Sequence, residues 1–71
     1  MEIKNIEIRE NDIVLIKTIR KQEYVGYITF DLNWFSRLLF DFHLRIDPSL
    51  KAGLGFKIRE IKTIETLKKE K

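Results

Sequence analysis

The sequence predicts a small all-β fold, a barrel of five or six short strands, and the main reason is a repeated alternation of apolar and polar residues. Over residues 38–47 every second residue is apolar, namely Leu38, Phe40, Phe42, Leu44 and Ile46. A period of two indicates a strand with one buried face. The chain then turns at Pro48 and two glycines, and the alternation resumes with Phe56 and Ile58. Residues 38–59 are therefore predicted to form a hairpin.

The N-terminal third supplies two more predicted strands. Residues 2–9 place Ile6 and Ile8 on one face of a short edge strand, and residues 10–12 (Glu-Asn-Asp) make the turn that follows it. Residues 13–16 are all apolar, which fits a strand that is buried on both faces or bends sharply.

The remaining strands follow from similar patterns. Residues 17–23 are predicted to form a turn, although they lack the expected glycine. Over residues 24–32 the alternation points Tyr27 outward and leaves Gly26 on the inner face, where the missing side chain permits a tight bend or a close backbone approach. The β-branched residues of 61–67 predict a tight turn followed by a last strand.

Residues 31–46 allow a second interpretation. The preferred prediction is a turn or short helix over 32–37 and a strand over 38–47. The alternative is an α+β fold in which a helix at about 32–46 packs on an antiparallel sheet. Its apolar stripe would consist of Leu32, Phe35, Leu39, Phe42 and Ile46.

Length and composition predict one domain over residues 1–71, with 68–71 a frayed basic tail. The chain has no cysteine and one histidine, so we expect no disulfide, metal site or cofactor. Its small core suggests a homo-oligomer. No apolar run is long enough to span a membrane, and the first residues do not resemble a signal peptide, so a cytoplasmic protein is expected.

Catalysis is not expected. His43 has Asp41 two residues away, but the sequence contains no nucleophile with a recognisable third partner, no phosphate-binding glycine loop and no metal-ligand spacing. The net charge is +3, and residues 36–71 carry nine basic and five acidic side chains. A modest basic excess of this kind fits a polyanionic partner.

The outward face of the 38–59 hairpin is the predicted nucleic-acid site. His43, Arg45, Lys57 and Arg59 point to the same side as Asp41. In one register Arg45 faces Lys57 and His43 faces Arg59; in the other, favoured by electrostatics, Asp41 faces Arg59 and His43 faces Lys57. The basic side chains would contact phosphates, while Trp34 or Tyr27 would stack on a base.

Three segments carry a resemblance to a known family. They are IVLIK (13–17), YVGYITFD (24–31) and GFKIREIKTI (55–64), and they resemble strands of the Sm-like small barrels. A generic SH3-like barrel shares most of these features. The Sm-like resemblance implies a ring of subunits joined edge to edge, with RNA bound at its pore.

The leading functional hypothesis is therefore a non-catalytic RNA- or DNA-binding module. The main alternative is a protein-interaction adaptor or inhibitor, in which Trp34, Phe35 and Leu39 are apolar anchors. A third hypothesis is a small-nucleotide binder at a subunit junction.

Overall fold

The computed structural model describes residues 1–50 and 53–68 and confirms the all-β class. Within those ranges one short helix and a 3₁₀ turn accompany seven strands. In chain order the elements are β1 (Glu2–Ile3), β2 (Ile6–Glu7), β3 (Ile13–Thr18), β4 (Glu23–Thr29), α1 (Trp34–Leu39), β5 (Phe42–Arg45), β6 (Leu54–Phe56), the 3₁₀ turn (Ile58–Glu60) and β7 (Ile61–Lys68). Of the predicted frayed tail, Lys68 ends β7, and residues 69–71 lie outside the described ranges.

Five strands form one antiparallel sheet in the order β6-β5-β4-β3-β7, and β1 pairs with β2 separately. Phe56 of edge strand β6 and Ile61 and Ile64 of edge strand β7 belong to the same buried cluster, so the sheet curves around one core. The two edges are joined by the 3₁₀ turn but are not hydrogen-bonded to each other. Over the described residues the sheet is therefore not closed into a barrel.

The N-terminal segment is a tight hairpin rather than the single strand predicted over 2–9. Lys4 and Asn5 have φ of 53° and 69°, which reverses the chain between β1 and β2. Ile3 and Ile8 are 1% and 0% exposed and join the core, whereas Ile6 is 37% exposed. The hairpin thus covers one end of the core with two isoleucines.

The apolar run in β3 supplies both faces of the sheet. Val14 and Ile16 are fully buried in the core, while Ile13 and Leu15 point to the outer face and are half-buried. Opposite Val14 stands Gly26 of β4. A Cβ added to Gly26 would lie 2.7 Å from the carbonyl oxygen of Arg45, which confirms the predicted close backbone approach.

The β5–β6 hairpin exists, but both of its predicted registers are wrong. Phe42 faces Phe56, His43 faces Gly55 and Leu44 faces Leu54. Each register differs from the observed one by an even number of residues, so every side chain keeps its face and the alternation pattern does not distinguish them.

The strand predicted over 38–47 is shorter than expected. Leu38 and Leu39 belong to α1, and Ile46, predicted to be buried, is 85% exposed because β5 ends at Arg45. A helix at about 32–46 is also wrong, since Phe42–Arg45 is extended. The predicted last strand is confirmed by β7, and the turn before it is the 3₁₀ turn at Ile58–Glu60, so Ile58 and Arg59 do not extend the hairpin strand as predicted.

Candidate functional site

Helix α1 is a six-residue helix defined by local hydrogen bonds at both ends. At its start the Ser36 N–H donates to Asn33 Oδ1 at 2.8 Å, a side-chain N-cap. At its end the Phe40 N–H donates to the Ser36 carbonyl at 2.8 Å, and Phe40 itself is extended. The Arg37 side chain folds back, and its Nε donates to the Leu32 carbonyl at 3.0 Å.

The apolar side of α1 faces solvent, the reverse of an ordinary surface helix. Its four large apolar residues are exposed, and we call them the α1 patch: Trp34 (75%), Phe35 (58%), Leu38 (67%) and Leu39 (45%). At about 100° per residue they cover an arc of roughly 140°. The polar residue Ser36 is half-buried, and no residue of α1 is buried. The patch is therefore an apolar surface that the rest of the described chain does not cover.

Phe40 attaches the end of α1 to the outer face of the β5–β6 hairpin. Its ring contacts the His43 ring edge-on, with 5.5 Å between centroids. It also lies over Gly55, where an added Cβ would be 2.5 Å from Phe40 Cγ. The Phe40 ring therefore packs directly on Gly55, and this contact orients α1 relative to the sheet.

His43 is half-buried beneath this contact. Its Nε2 is inaccessible to solvent and has no hydrogen-bond partner among the described residues. Burial disfavours the imidazolium and lowers the pKa of His43 below its ordinary value. A neutral histidine at this position cannot contribute positive charge to a phosphate site near pH 7.

The guanidinium of Arg45 is bonded to its own chain. Nη1 donates to the carbonyls of Pro48 and Leu50, both at 3.0 Å, and Nη2 donates to Asn11 Oδ1 at 2.7 Å. Nη2 also lies 3.6 Å from the Glu10 carboxylate, and the Arg45 side chain is only 14% exposed. Arg45 therefore links the 46–50 turn to the segment that precedes β3.

Of the predicted nucleic-acid residues, Tyr27, His43 and Arg45 lie together on the outer face of β4 and β5, and the other three lie elsewhere. Tyr27 lies directly opposite Arg45 on the outer face and is half-buried. Lys57 follows the partner of Phe42, so it lies near the other end of β5, about 13 Å from Arg45 at 3.3 Å per residue. Arg59 is exposed on the 3₁₀ turn, and Trp34 is on α1.

The predicted pairing of Asp41 with Arg59 rested on the wrong register. Instead the Asp41 carboxylate accepts a 2.8 Å hydrogen bond from the Ile58 N–H, and the Asp41 N–H donates to the Phe56 carbonyl at 2.8 Å. Asp41 thus holds the start of the 3₁₀ turn.

By contrast, the predicted protein-interface residues are brought together. Trp34, Phe35 and Leu39 all lie on α1, and the rings of Trp34 and Phe35 contact each other at 5.9 Å between centroids. The fourth member, Leu38, was missed because it was assigned to an inward position of a strand. The spacing i, i+1, i+4, i+5 of the four residues is the signal that identifies them as one helical face.

The clefts on the described surface are open and mixed in charge. One of about 510 Å³ is lined by Glu10, Asn11, Thr29, Asp31, His43, Arg45 and Pro48. The Glu10 carboxylate and the Thr29 hydroxyl in this cleft are already hydrogen-bonded, since Glu10 accepts hydrogen bonds from the Thr29 hydroxyl at 2.5 Å and the Phe30 N–H at 2.7 Å. Over residues 1–50 and 53–68, no three metal-ligating side chains cluster, and no helix is long and apolar enough to cross a membrane.

Searched against family models, curated proteins and solved structures, the chain gives no significant match. The Sm-like and SH3-like resemblances therefore stay predictions. Among the described elements, α1 carries the largest set of neighbouring exposed apolar side chains, the α1 patch.

Proposed function

We propose that this chain is a non-catalytic protein-binding module and that the α1 patch is its contact surface. The observation that carries the proposal is the outward apolar face of α1, with Trp34 and Leu38 exposed by 75% and 67%. Four such side chains expose on the order of 500 Å², the size of the largest apolar patch on a typical monomer, which is often functional. Aromatic anchors of this kind dominate the energy of protein interfaces.

The alternative hypothesis, nucleic-acid binding, is less well supported by the geometry. Arg45 already donates to three oxygen atoms of its own chain, and the pKa of His43 is lowered. Lys57, Arg59 and Trp34 stay available for it, on separate elements. Binding of an RNA or DNA oligonucleotide would weaken linearly in a plot of log affinity against log salt, whereas contacts of an apolar patch respond little to salt.

Capture of proteins on the immobilised chain, from a lysate of cells that also express the chain in soluble form, tests the proposed function. Wild type is compared with Leu38→Asp, which places a charge in the α1 patch, and with Ile46→Asp, which places the same charge at an even more exposed aliphatic residue outside α1. We expect a partner protein to be retained by wild type and Ile46→Asp and lost by Leu38→Asp. Equal retention by all three variants would contradict the proposal.

A fluorescent oligonucleotide added to wild type at about 50 mM salt tests the alternative. Salt-dependent binding that is unchanged in Leu38→Asp would favour the nucleic-acid hypothesis over the protein-binding one.

A further inference from the structure

We propose, on the basis of the protein-binding function above, that the partner of the α1 patch is a second copy of this chain, with the two α1 helices packed antiparallel about a two-fold axis. Four features of α1 favour a second copy as the partner: the low stability of the helix, the area of the patch, its lack of charge and the sizes of its side chains.

Helix α1 lacks the internal support that would keep it formed without a cover. It has six residues, while isolated helices below about 12–15 residues are marginal in water. None of its residues is buried, so its support within the described chain is the Asn33 cap, the Arg37–Leu32 hydrogen bond and the packing of Phe40 on Gly55. A cover would stabilise α1, and a second copy is a cover that is present wherever the chain is.

The area of the patch is sufficient for a dimer. Each copy offers on the order of 500 Å², so a symmetric contact buries about 1,000 Å² before its rim is counted, the lower limit for a specific interface. The chain has no cysteine to form a stabilising disulfide, and its core is small. Burial of α1 in a dimer would add a second apolar layer to that core.

The patch is also electrically compatible with itself. Its four residues are uncharged, and the one charged residue of α1, Arg37, lies about 130° away from the centre of the apolar arc. Two copies brought together through this face therefore place no charged residue of α1 at the centre of the contact. A partner chosen by charge complementarity would need a charged group here, and the face presents none.

The sizes of the side chains favour the antiparallel arrangement. The aromatic residues Trp34 and Phe35 occupy the first half of α1, and the leucines occupy the second half. In a two-fold antiparallel pair, Trp34 of one copy lies over Leu38 of the other, and Phe35 lies over Leu39. Each large ring then meets a smaller side chain, whereas a parallel pair would place tryptophan against tryptophan.

Sedimentation equilibrium of the full chain over about 1 μM to about 1 mM tests the proposal. We expect the mass to rise from 8.6 kDa to 17.2 kDa, twice the mass of one chain. The chain has a single tryptophan, Trp34, so its fluorescence reports on this surface alone. Its emission should shift to shorter wavelength over the same concentration range, because the ring leaves water.

Substitutions then locate the contact. Leu38→Asp should raise the dissociation constant at least about 30-fold, while Ile46→Asp leaves it unchanged. Far-UV circular dichroism and thermal unfolding confirm that both variants are folded. Trp34→Leu and Leu38→Trp should each weaken the dimer, and the double variant, which exchanges the two sizes, should recover it.

Several outcomes would overturn the proposal. They are a mass of 8.6 kDa throughout the range, a folded Leu38→Asp variant that still dimerises, or a double variant no better than the single ones. A monomeric wild type that nevertheless retains another protein through Leu38 would remove self-association and leave the proposed function standing. A monomer that retains nothing would remove both.

Discussion

The guanidinium of Arg45 donates a 2.7 Å hydrogen bond to the side-chain oxygen of Asn11, a residue 34 positions earlier in the chain. Asn11 holds a left-handed backbone conformation with φ of 67°, and the same guanidinium binds the Pro48 and Leu50 carbonyls. One side chain therefore connects two turns that no strand pairing connects.

Replacing Arg45 by lysine should destabilise the fold. A lysine keeps the charge but has one nitrogen where Arg45 uses two, so it cannot satisfy Asn11 and both carbonyls together. We expect the free energy of unfolding in urea to fall by about 1–3 kcal/mol. Arg59→Lys, at an exposed position on the 3₁₀ turn, is the matched control and should change stability by less than about 0.5 kcal/mol. Equal effects of the two substitutions would show that Arg45 does not have this linking role.

Gly55→Ala should be destabilising because of one specific contact. The new Cβ would lie 2.5 Å from Cγ of the Phe40 ring, which would have to move. We expect a loss of about 1–3 kcal/mol in the free energy of unfolding. In a Phe40→Ala background the same substitution should cost much less, and a double-mutant cycle measures the difference. A cycle with no coupling would mean that the ring is not seated on Gly55.

His43 should make the stability depend on pH. Its folded-state pKa is lowered by burial, so below its unfolded-state pKa, about 6.5, the unfolded chain binds more protons than the folded chain. Stability from the neutral histidine is therefore fully present above that value and decreases as the pH falls toward the folded-state pKa. Thermal unfolding of wild type should show this decrease below about pH 6.5. The variant His43→Gln does not titrate at this position and should lack the decrease. Identical pH profiles of the two proteins would show that His43 is not its cause.

Asn33→Ala should affect α1 without weakening the whole fold. The substitution removes the oxygen that accepts from the Ser36 N–H, and loss of such a cap usually costs about 1 kcal/mol of helix stability. Because no residue of α1 is buried, most of this loss stays local. Amide hydrogen exchange should be faster at Ser36 and unchanged at Ile16 in β3. Uniformly faster exchange across the sheet would contradict a local effect.

Lys21→Gly should stabilise the β3–β4 turn. Lys21 has φ of 64°, a conformation that costs a residue with a side chain roughly 1 kcal/mol and that glycine adopts freely. Because glycine also increases the freedom of the unfolded chain, we expect a net gain of about 0.5 kcal/mol in a urea titration. Lys17→Gly, within β3, is the control and should lower stability.

The sequence predicts the faces of the strands well and their ends and registers poorly. Alternation places Phe42, Leu44 and Phe56 inward, and all three are buried. It does not detect the turn between β1 and β2, because Lys4 and Asn5 reverse the chain without glycine. It misses the register of the β5–β6 hairpin, because slips by an even number of residues preserve every face.

The candidate surface was partly predictable. Trp34 and Phe35 are predicted as anchors because neither is assigned to the core. Leu39 is predicted as one because it is apolar on the otherwise polar outward face of a predicted strand. Leu38 is not predicted as an anchor, because the alternation over 38–47 places it on the inward face of a strand. In the structure it lies in α1, which ends at Leu39. The bonds of Arg45 were not predictable, since two of its acceptors are backbone carbonyls, which no residue type signals.

Because α1 turns its apolar side away from the sheet, the residues that hold this molecule together and those offered to its surroundings belong to separate sets. The four residues of the α1 patch can then be changed to select a different partner while the sheet keeps its shape. A change of binding specificity at these positions therefore need not cost the sheet its stability.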